Sequence, residues 1–342
     1  MRVTCLAAAV FLMSGCQMVG YYHQAIVGQG KLLLNRQQNA SLLASAKTDP
    51  ALKYRLELAA EVVRFAIEAG LPAEGAYQSY VETGQSFVVW NVFAAPTFQL
   101  ELKTSCFPVA GCVSYRGFFG REDAIAYGES LKREGYDVYV GGVSAYSTLG
   151  WFDDPLLDTF LFQPEEHLAA LLFHELAHRV LYVRDDTRFN ESLATSIEKY
   201  LLRTWLNRRG EPDRFDRYLA SEQRQVAVLD IIGATRERLR SLYQTNIPVE
   251  EMRIEKSAIL AQLVETYGGM SAGWSEGAEF GRWMSSPINN AKLETVADYN
   301  DWVPPMTQLL ESKGLGEFVK EMERLADLSE QERTRELQAI GR

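Results

Sequence analysis

Histidine and cysteine are both scarce in this chain. Its 342 residues contain four of each. No CxxC occurs, and the spacing of Cys106 and Cys112 fits no zinc knuckle, which argues against a redox or metal role for that pair. Long apolar runs are missing too. No stretch of 18 or more apolar residues is present, so any tie to a membrane would be an anchor and not a spanning helix. Positive charge is in the minority, 35 Lys and Arg against 45 Asp and Glu, for a net charge of −10. That argues against nucleic acid as a partner but does not identify a substrate. No internal repeat or low-complexity tract stands out. Apolar residues make up 47% of the chain, ample for one large domain or two.

Two of the four histidines fall within five residues, His174-Glu175-Leu176-Ala177-His178. HExxH puts two imidazoles and a carboxylate around a hydrolytic zinc ion. On a helix, positions i and i+4 share a face about 5–6 Å apart. The surrounding run, from Pro164 at the first helical position through Glu165 and Glu166 to Leu181, predicts a largely apolar, buried helix. Buried imidazoles and carboxylates need partners, and a metal supplies them. The structural alternative is a pair of hydrogen-bonded core histidines.

A catalytic zinc site takes three protein ligands and keeps one position open. Eleven residues after His178 comes Phe189-Asn190-Glu191-Ser192-Leu193-Ala194. It is read as opening a second helix, Glu191 to Leu206, after a loop at 184–188. A short loop makes the two helices antiparallel neighbours, so Glu191 can face the histidines. Its structural alternative is a first-turn glutamate on the helix dipole. His167, seven residues before His174, lies near the same face and reads either as lining the cleft or as a helix-surface histidine.

Phe-Asn-Glu-Ser-Leu-Ala resembles the second zinc motif of gluzincin metallopeptidases. The wider chain is similar to the bacterial putative aminopeptidase family of lipoproteins. The likeness runs through residues 145–155, 173–178, 189–191, 289–293 and 299–304 and covers most of the mature chain. It implies a zinc peptidase acting on peptides or proteins, with His174, His178 and Glu191 on the metal and Glu175 as general base. The chain also departs from better-known gluzincins. Its gap between the two motifs is shorter, and no Gly-Ala-Met-Glu-Asn motif for the substrate amino terminus is present. Thr195 stands where thermolysin-like enzymes carry an aspartate that orients a histidine. Aminopeptidase, endopeptidase and zinc-bearing peptide-binding module therefore all stay open, as does a hydrolase of non-peptide amides. Tyr146 and then Tyr299 are candidates to stabilise the oxyanion, each with a core-tyrosine alternative. Asn289, with Asn290 and Lys292, could line the cleft or serve as a cap.

The amino terminus reads as a lipoprotein signal: Arg2, an apolar Leu6 to Met13, then Ser14-Gly15-Cys16. The lipobox resemblance makes Cys16 the lipidated first residue. Gln17 after it favours the outer membrane, facing the periplasm. Cys106 and Cys112, an exported pair this close, are expected to form a disulfide.

The expected fold class is α+β, mainly helical, with a small and mostly antiparallel sheet packed on the HExxH helix of a gluzincin-like core. The chain divides into a signal segment 1–15, a helical segment 16–85, a metallopeptidase core 86–210 and a helical region 211–342. Helices are expected at Gly28 to Ala46, Ala51 to Glu68, Glu122 to Glu134, Arg214 to Tyr243 and Val249 to Tyr267. Strands are expected at Phe87 to Phe93, Thr97 to Leu102, Val113 to Phe119 and Asp137 to Gly142. Val138 to Ser144 is the strand expected to align an extended substrate.

Overall fold

The computed structural model describes residues 24, 27–107, 111–144, 154–274, 280–296 and 302–340. In chain order the elements are α1 (27–34), β1 (Gln37–Gln38), α2 (Asn39–Ala44), α3 (Pro50–Glu68), β2 (Ser79–Val81), β3 (Val89–Pro96), β4 (Ser105–Phe107), β5 (Gly111–Val113) and β6 (Arg116–Phe118). There follow α4 (Arg121–Arg133), β7 (Tyr136–Val143), β8 (Leu156–Leu157), α5 (Asp158–Leu161), α6 (Glu165–Ala177), α7 (Thr187–Arg208), α8 (Pro212–Tyr243) and α9 (Val249–Ser271). Short α10 (Gly281–Met284) and α11 (Asn290–Leu293) precede α12 (Val303–Lys313), α13 (Leu315–Ala326) and α14 (Glu330–Ile340). The class is α+β and mainly helical, as expected. Two compact units interleave along the chain: 1–35, 83–146 and 226–296 form one, and 36–82, 147–225 and 297–342 form the other.

In the first unit, β3 is the central strand of an antiparallel sheet ordered β6-β3-β7. Its register with β7 runs from Val89↔Val143 to Pro96↔Tyr136. Helix α4 covers the sheet with Ala124 and Leu131, against Val92, Phe118 and Val138. Gly128 permits that approach, because a Cβ there would stand 3.3 Å from both Val138 and Val140. Helix α11 also packs on β3 and β7. The sheet is therefore covered by α4 and α11 of its own unit. Cys106 and Cys112 face each other across the β4–β5 hairpin and are disulfide-bonded.

Two expectations change here. Thr97 to Leu102 is not a strand. The Asn290 side chain donates to the carbonyls of Pro96, Thr97 and Gln99 at 2.9–3.0 Å, and Lys256 Nζ reaches the Thr97 carbonyl at 2.8 Å. Polar groups from distant parts of the chain thus take the acceptors that a strand partner would use. The single helix expected at Gly28 to Ala46 is divided into α1, β1 and α2. The Asn39 side chain donates to the Tyr77 carbonyl at 2.9 Å, and β1 pairs with β2.

The second unit is built on three packed helices. α6 lies against α7 and α3. Phe173 of α6 meets Phe65 of α3 at 5.9 Å and Trp205 of α7 at 6.4 Å between ring centroids. Phe173, Trp205, Phe189 and Leu176 are essentially excluded from solvent. Each contributes about 1.5–3 kcal/mol of burial free energy, which fixes the two helices face to face. α7 also packs on α12. In this unit β1, β2 and β8 form a small mixed sheet.

Candidate metal centre

Helix α6 buries Leu168, Ala169, Leu172, Phe173 and Leu176. Beyond Glu165 and Glu166 of its first turn, the residues left partly open are 167, 171, 174, 175 and 178, a stripe at helical spacing. Pro164 is the N-cap residue and not the first helical position, and His178 is the C-cap. The helix stops there, short of Leu181. α7 begins at Thr187, one turn before its expected start, with the Asp186 carboxylate accepting from the Phe189 amide at 3.0 Å. Glu191 therefore lies in the second turn, and a first-turn dipole role does not account for it. Asn190 locks the preceding loop, accepting from the Val183 amide at 2.8 Å and donating to its carbonyl at 2.7 Å. Arg333, itself buried, grips Asp186 Oδ2 through Nε and Nη2 at 3.0 and 2.9 Å.

This framework brings His174, His178 and Glu191 together. One ligand atom from each lies within 4.8 Å of the others. Glu191 Oε2 stands 3.2 Å from His174 Nε2 and 3.7 Å from His178 Nε2. Tetrahedral ligands at zinc bond lengths are about 3.4 Å apart, so the set fits that ion. The Glu191 side chain is 36% exposed, against 20% and 9% for His174 and His178. The cluster therefore opens towards solvent on the Glu191 side.

A residue missed in the sequence completes the set. Glu198 Oε2 is 2.9 Å from His174 Nδ1, and its Oε1 accepts from the Tyr218 hydroxyl. This carboxylate–histidine pair fixes which imidazole nitrogen faces the metal position. The carboxylate on His174 Nδ1 thus comes from position 198 and not from position 195, which is Thr195. Glu198 lies seven residues after Glu191, two helical turns along one face of α7, a spacing that does not by itself single it out.

The electrostatics follow from this arrangement. Burial disfavours charge on His174, but the hydrogen bonds of Glu191 and Glu198 outweigh it and push its pKa up to about 10. Burial and the neighbouring His174 charge push His178 down. Burial works against ionisation of Glu191, yet the His174 hydrogen bond and both imidazole charges bring it below the usual carboxylate range. Burial, then the charges of Glu198 and Glu222, hold the Tyr218 phenol well above its ordinary value, so it remains a donor.

Glu175 shares the open stripe of α6. Together with Gln163, His167, Leu171 and His174 it lines a cavity of about 320 Å³, which Glu198, Tyr218 and Glu222 close on the α7–α8 side. Tyr77 belongs to the same surroundings. Burial, then the charges of Glu175 and Asp154, raise its phenol well above the ordinary range. Its backbone is left-handed, with φ of 54°, an unusual conformation for a tyrosine. Asn289 accepts from the Lys292 amide at 3.0 Å as the N-cap of α11 and donates to the Val138 carbonyl at 2.9 Å. Its side chain is thus engaged in the first unit. Cys16, Tyr146 and Tyr299 lie outside the described residues.

No curated protein and no solved structure matches the chain. A family model described as "Putative aminopeptidase" does match it, over residues 20–337. The match takes in every residue of the centre, and the chain belongs to that family.

Proposed function

We propose that this protein is a zinc-dependent peptidase of the bacterial cell envelope, an aminopeptidase by family, built on a gluzincin-like core. The observation that carries the reading is the convergence of His174, His178 and Glu191 donor atoms within 4.8 Å beside Glu175. Three protein ligands and an open side suit a catalytic site better than a closed structural one. When bound, zinc supplies Lewis acidity and an acidified water. Glu175 takes the proton released at the site and returns it to the leaving amine. Glu198 holds His174 with Nε2 towards the metal position, and Tyr218 in turn holds Glu198. The Cys106–Cys112 disulfide suits an oxidising compartment, and lipidation at Cys16 would place the protein on the outer membrane facing the periplasm.

Zinc content and peptide hydrolysis, measured on the same samples, test this. The wild type should carry one zinc and cut peptides, chelation should stop cleavage, and added zinc should restore it. Glu175→Gln should keep the zinc and lose about 10²-fold or more in kcat. His174→Ala should lose both. Full turnover by the Glu175→Gln protein would remove that residue from the chemistry.

A further inference from the structure

Charge is unevenly placed along the chain. All 45 acidic residues lie from Asp49 onwards, and the charged residues before it are Arg2, Lys31, Arg36 and Lys47. The stretch that follows Cys16 is therefore positive, within a chain of net charge −10. This stretch contains α1. The helix carries Lys31 and three exposed apolar side chains, Leu34 at 87%, Val27 at 40% and Leu33 at 37% exposure. Val27, Lys31 and Leu34 stand at i, i+4 and i+7, one stripe along the helix. We infer that this stripe rests on the bilayer, with Val27 and Leu34 among the acyl chains and Lys31 on an anionic phospholipid headgroup, so that the first unit is held on the membrane in one orientation. The inference rests on the proposed lipidation at Cys16.

Anchorage, reach and charge support it. The opposite face of α1 is fixed to its own unit. Gln24 donates to the Gly117 carbonyl at 3.2 Å and accepts from the Phe119 amide at 3.1 Å. Gly28, four residues on, lies so close to Phe119 that a Cβ there would stand 2.1 Å from the ring. The stripe of Val27, Lys31 and Leu34 is thus the outward one. Its reach to the membrane is short. Eleven residues join Cys16 to Val27, so an acylated Cys16 keeps α1 within about 40 Å of the bilayer surface. Single exposed apolar residues are ordinary on a soluble surface. Here two share one stripe with a cation between them, in a stretch with no acidic residue to oppose an anionic surface. The lysine stem can lie along the apolar boundary while its ammonium meets a phosphate. Several acyl chains hold a protein durably, and two apolar side chains alone do not. The helix therefore sets orientation and not attachment.

The test reconstitutes the lipidated chain in vesicles of phosphatidylethanolamine and phosphatidylglycerol. A nitroxide is placed on Leu34→Cys, the one free thiol of the mature chain once Cys16 is acylated and the Cys106–Cys112 bond is formed. Paramagnetic resonance reads its collisions with a water-soluble nickel chelate. A label on Ile254→Cys of α9, 67% exposed in the same unit, is the reference. On vesicles the label at 34 should collide several-fold less often than the label at 254. In vesicle-free Cys16→Ala protein carrying the same labels, the two rates should be alike. Replacing phosphatidylglycerol by phosphatidylcholine, or Lys31 by Gln, should weaken the protection about fivefold, the effect of one basic residue beside an anionic surface. Equal rates at 34 and 254 on vesicles overturn the inference. Protection at 34 that persists without vesicles overturns it in favour of a covering by the chain itself. Protection indifferent to both lipid charge and Lys31 overturns the headgroup contact. A wild type that does not partition onto vesicles overturns the lipid anchor and the inference with it, whereas the other three outcomes leave the anchor standing.

Discussion

If His174, His178 and Glu191 hold zinc as proposed, Glu198 orients one ligand without touching the ion. It receives the Nδ1 side of His174 at 2.9 Å while Tyr218 holds its other oxygen. A Glu198→Ala change leaves all three ligands in place but lets the imidazole turn. Zinc affinity should fall about 10–100-fold, measured by competition with a chelator, whereas Tyr218→Phe should cost less because His174 keeps its acceptor. Unchanged affinity in Glu198→Ala would mean that packing alone orients the ring. Tyr77 supports a second expectation at this scale. A tyrosine held at φ of 54° within the field of Glu175 combines local strain with proximity to the reacting groups, a pairing frequent at active sites. Tyr77→Phe removes only the hydroxyl. If that hydroxyl donates to the developing oxyanion, kcat should drop about 10²-fold with zinc content and KM little changed. A normal kcat would return Tyr77 to a packing role.

At the scale of elements, the site depends on where α7 begins. Asp186 caps it, Asn190 ties down the loop before it, and Arg333 of α14 holds Asp186 while donating to the carbonyls of Leu325, Ala326 and Leu328. Arg333→Ala removes the partner of the half-buried Asp186 Oδ2 and of three carbonyls at once. It should destabilise the protein by about 3 kcal/mol, read as a lower urea midpoint at unchanged slope. Asp186→Asn keeps a capping oxygen and should lose less. These long-range ties also explain what could be read from the sequence. The histidines of α6 were legible because their spacing is a property of one helix. Glu191 was legible through its motif and its distance from His178. Glu198 was not, since its role appears only once α6 and α7 are packed. Thr97 to Leu102 alternates like a strand, but Asn290 and Lys256, far along the chain, claim its carbonyls. The helix expected at Gly28 to Ala46 gave way for the same kind of reason, with Asn39 drawn to the Tyr77 carbonyl and β1 to β2.

For the whole molecule, two separate parts of the chain bear on where it works. The Cys106–Cys112 bond joins a hairpin in a way that a reducing cytosol does not favour. The Leu6 to Cys16 segment resembles a lipoprotein signal, the ground for the proposed export and lipidation. Among the described residues no helix is long and apolar enough to cross a membrane, and the proposed lipid anchor would sit on Cys16. One acyl chain binds a membrane only marginally and several bind it durably, which makes the effect of losing the cysteine all-or-none. Fractionation of a bacterial host should therefore find the wild type in the outer membrane and Cys16→Ala either soluble in the periplasm or retained unprocessed. The soluble form should still contain the Cys106–Cys112 bond, seen by mass spectrometry without reductant, and should still bind zinc, because neither feature depends on the anchor. A Cys16→Ala protein that stays on the membrane would rule out the lipid anchor. A wild-type protein recovered with both thiols reduced would count against export itself.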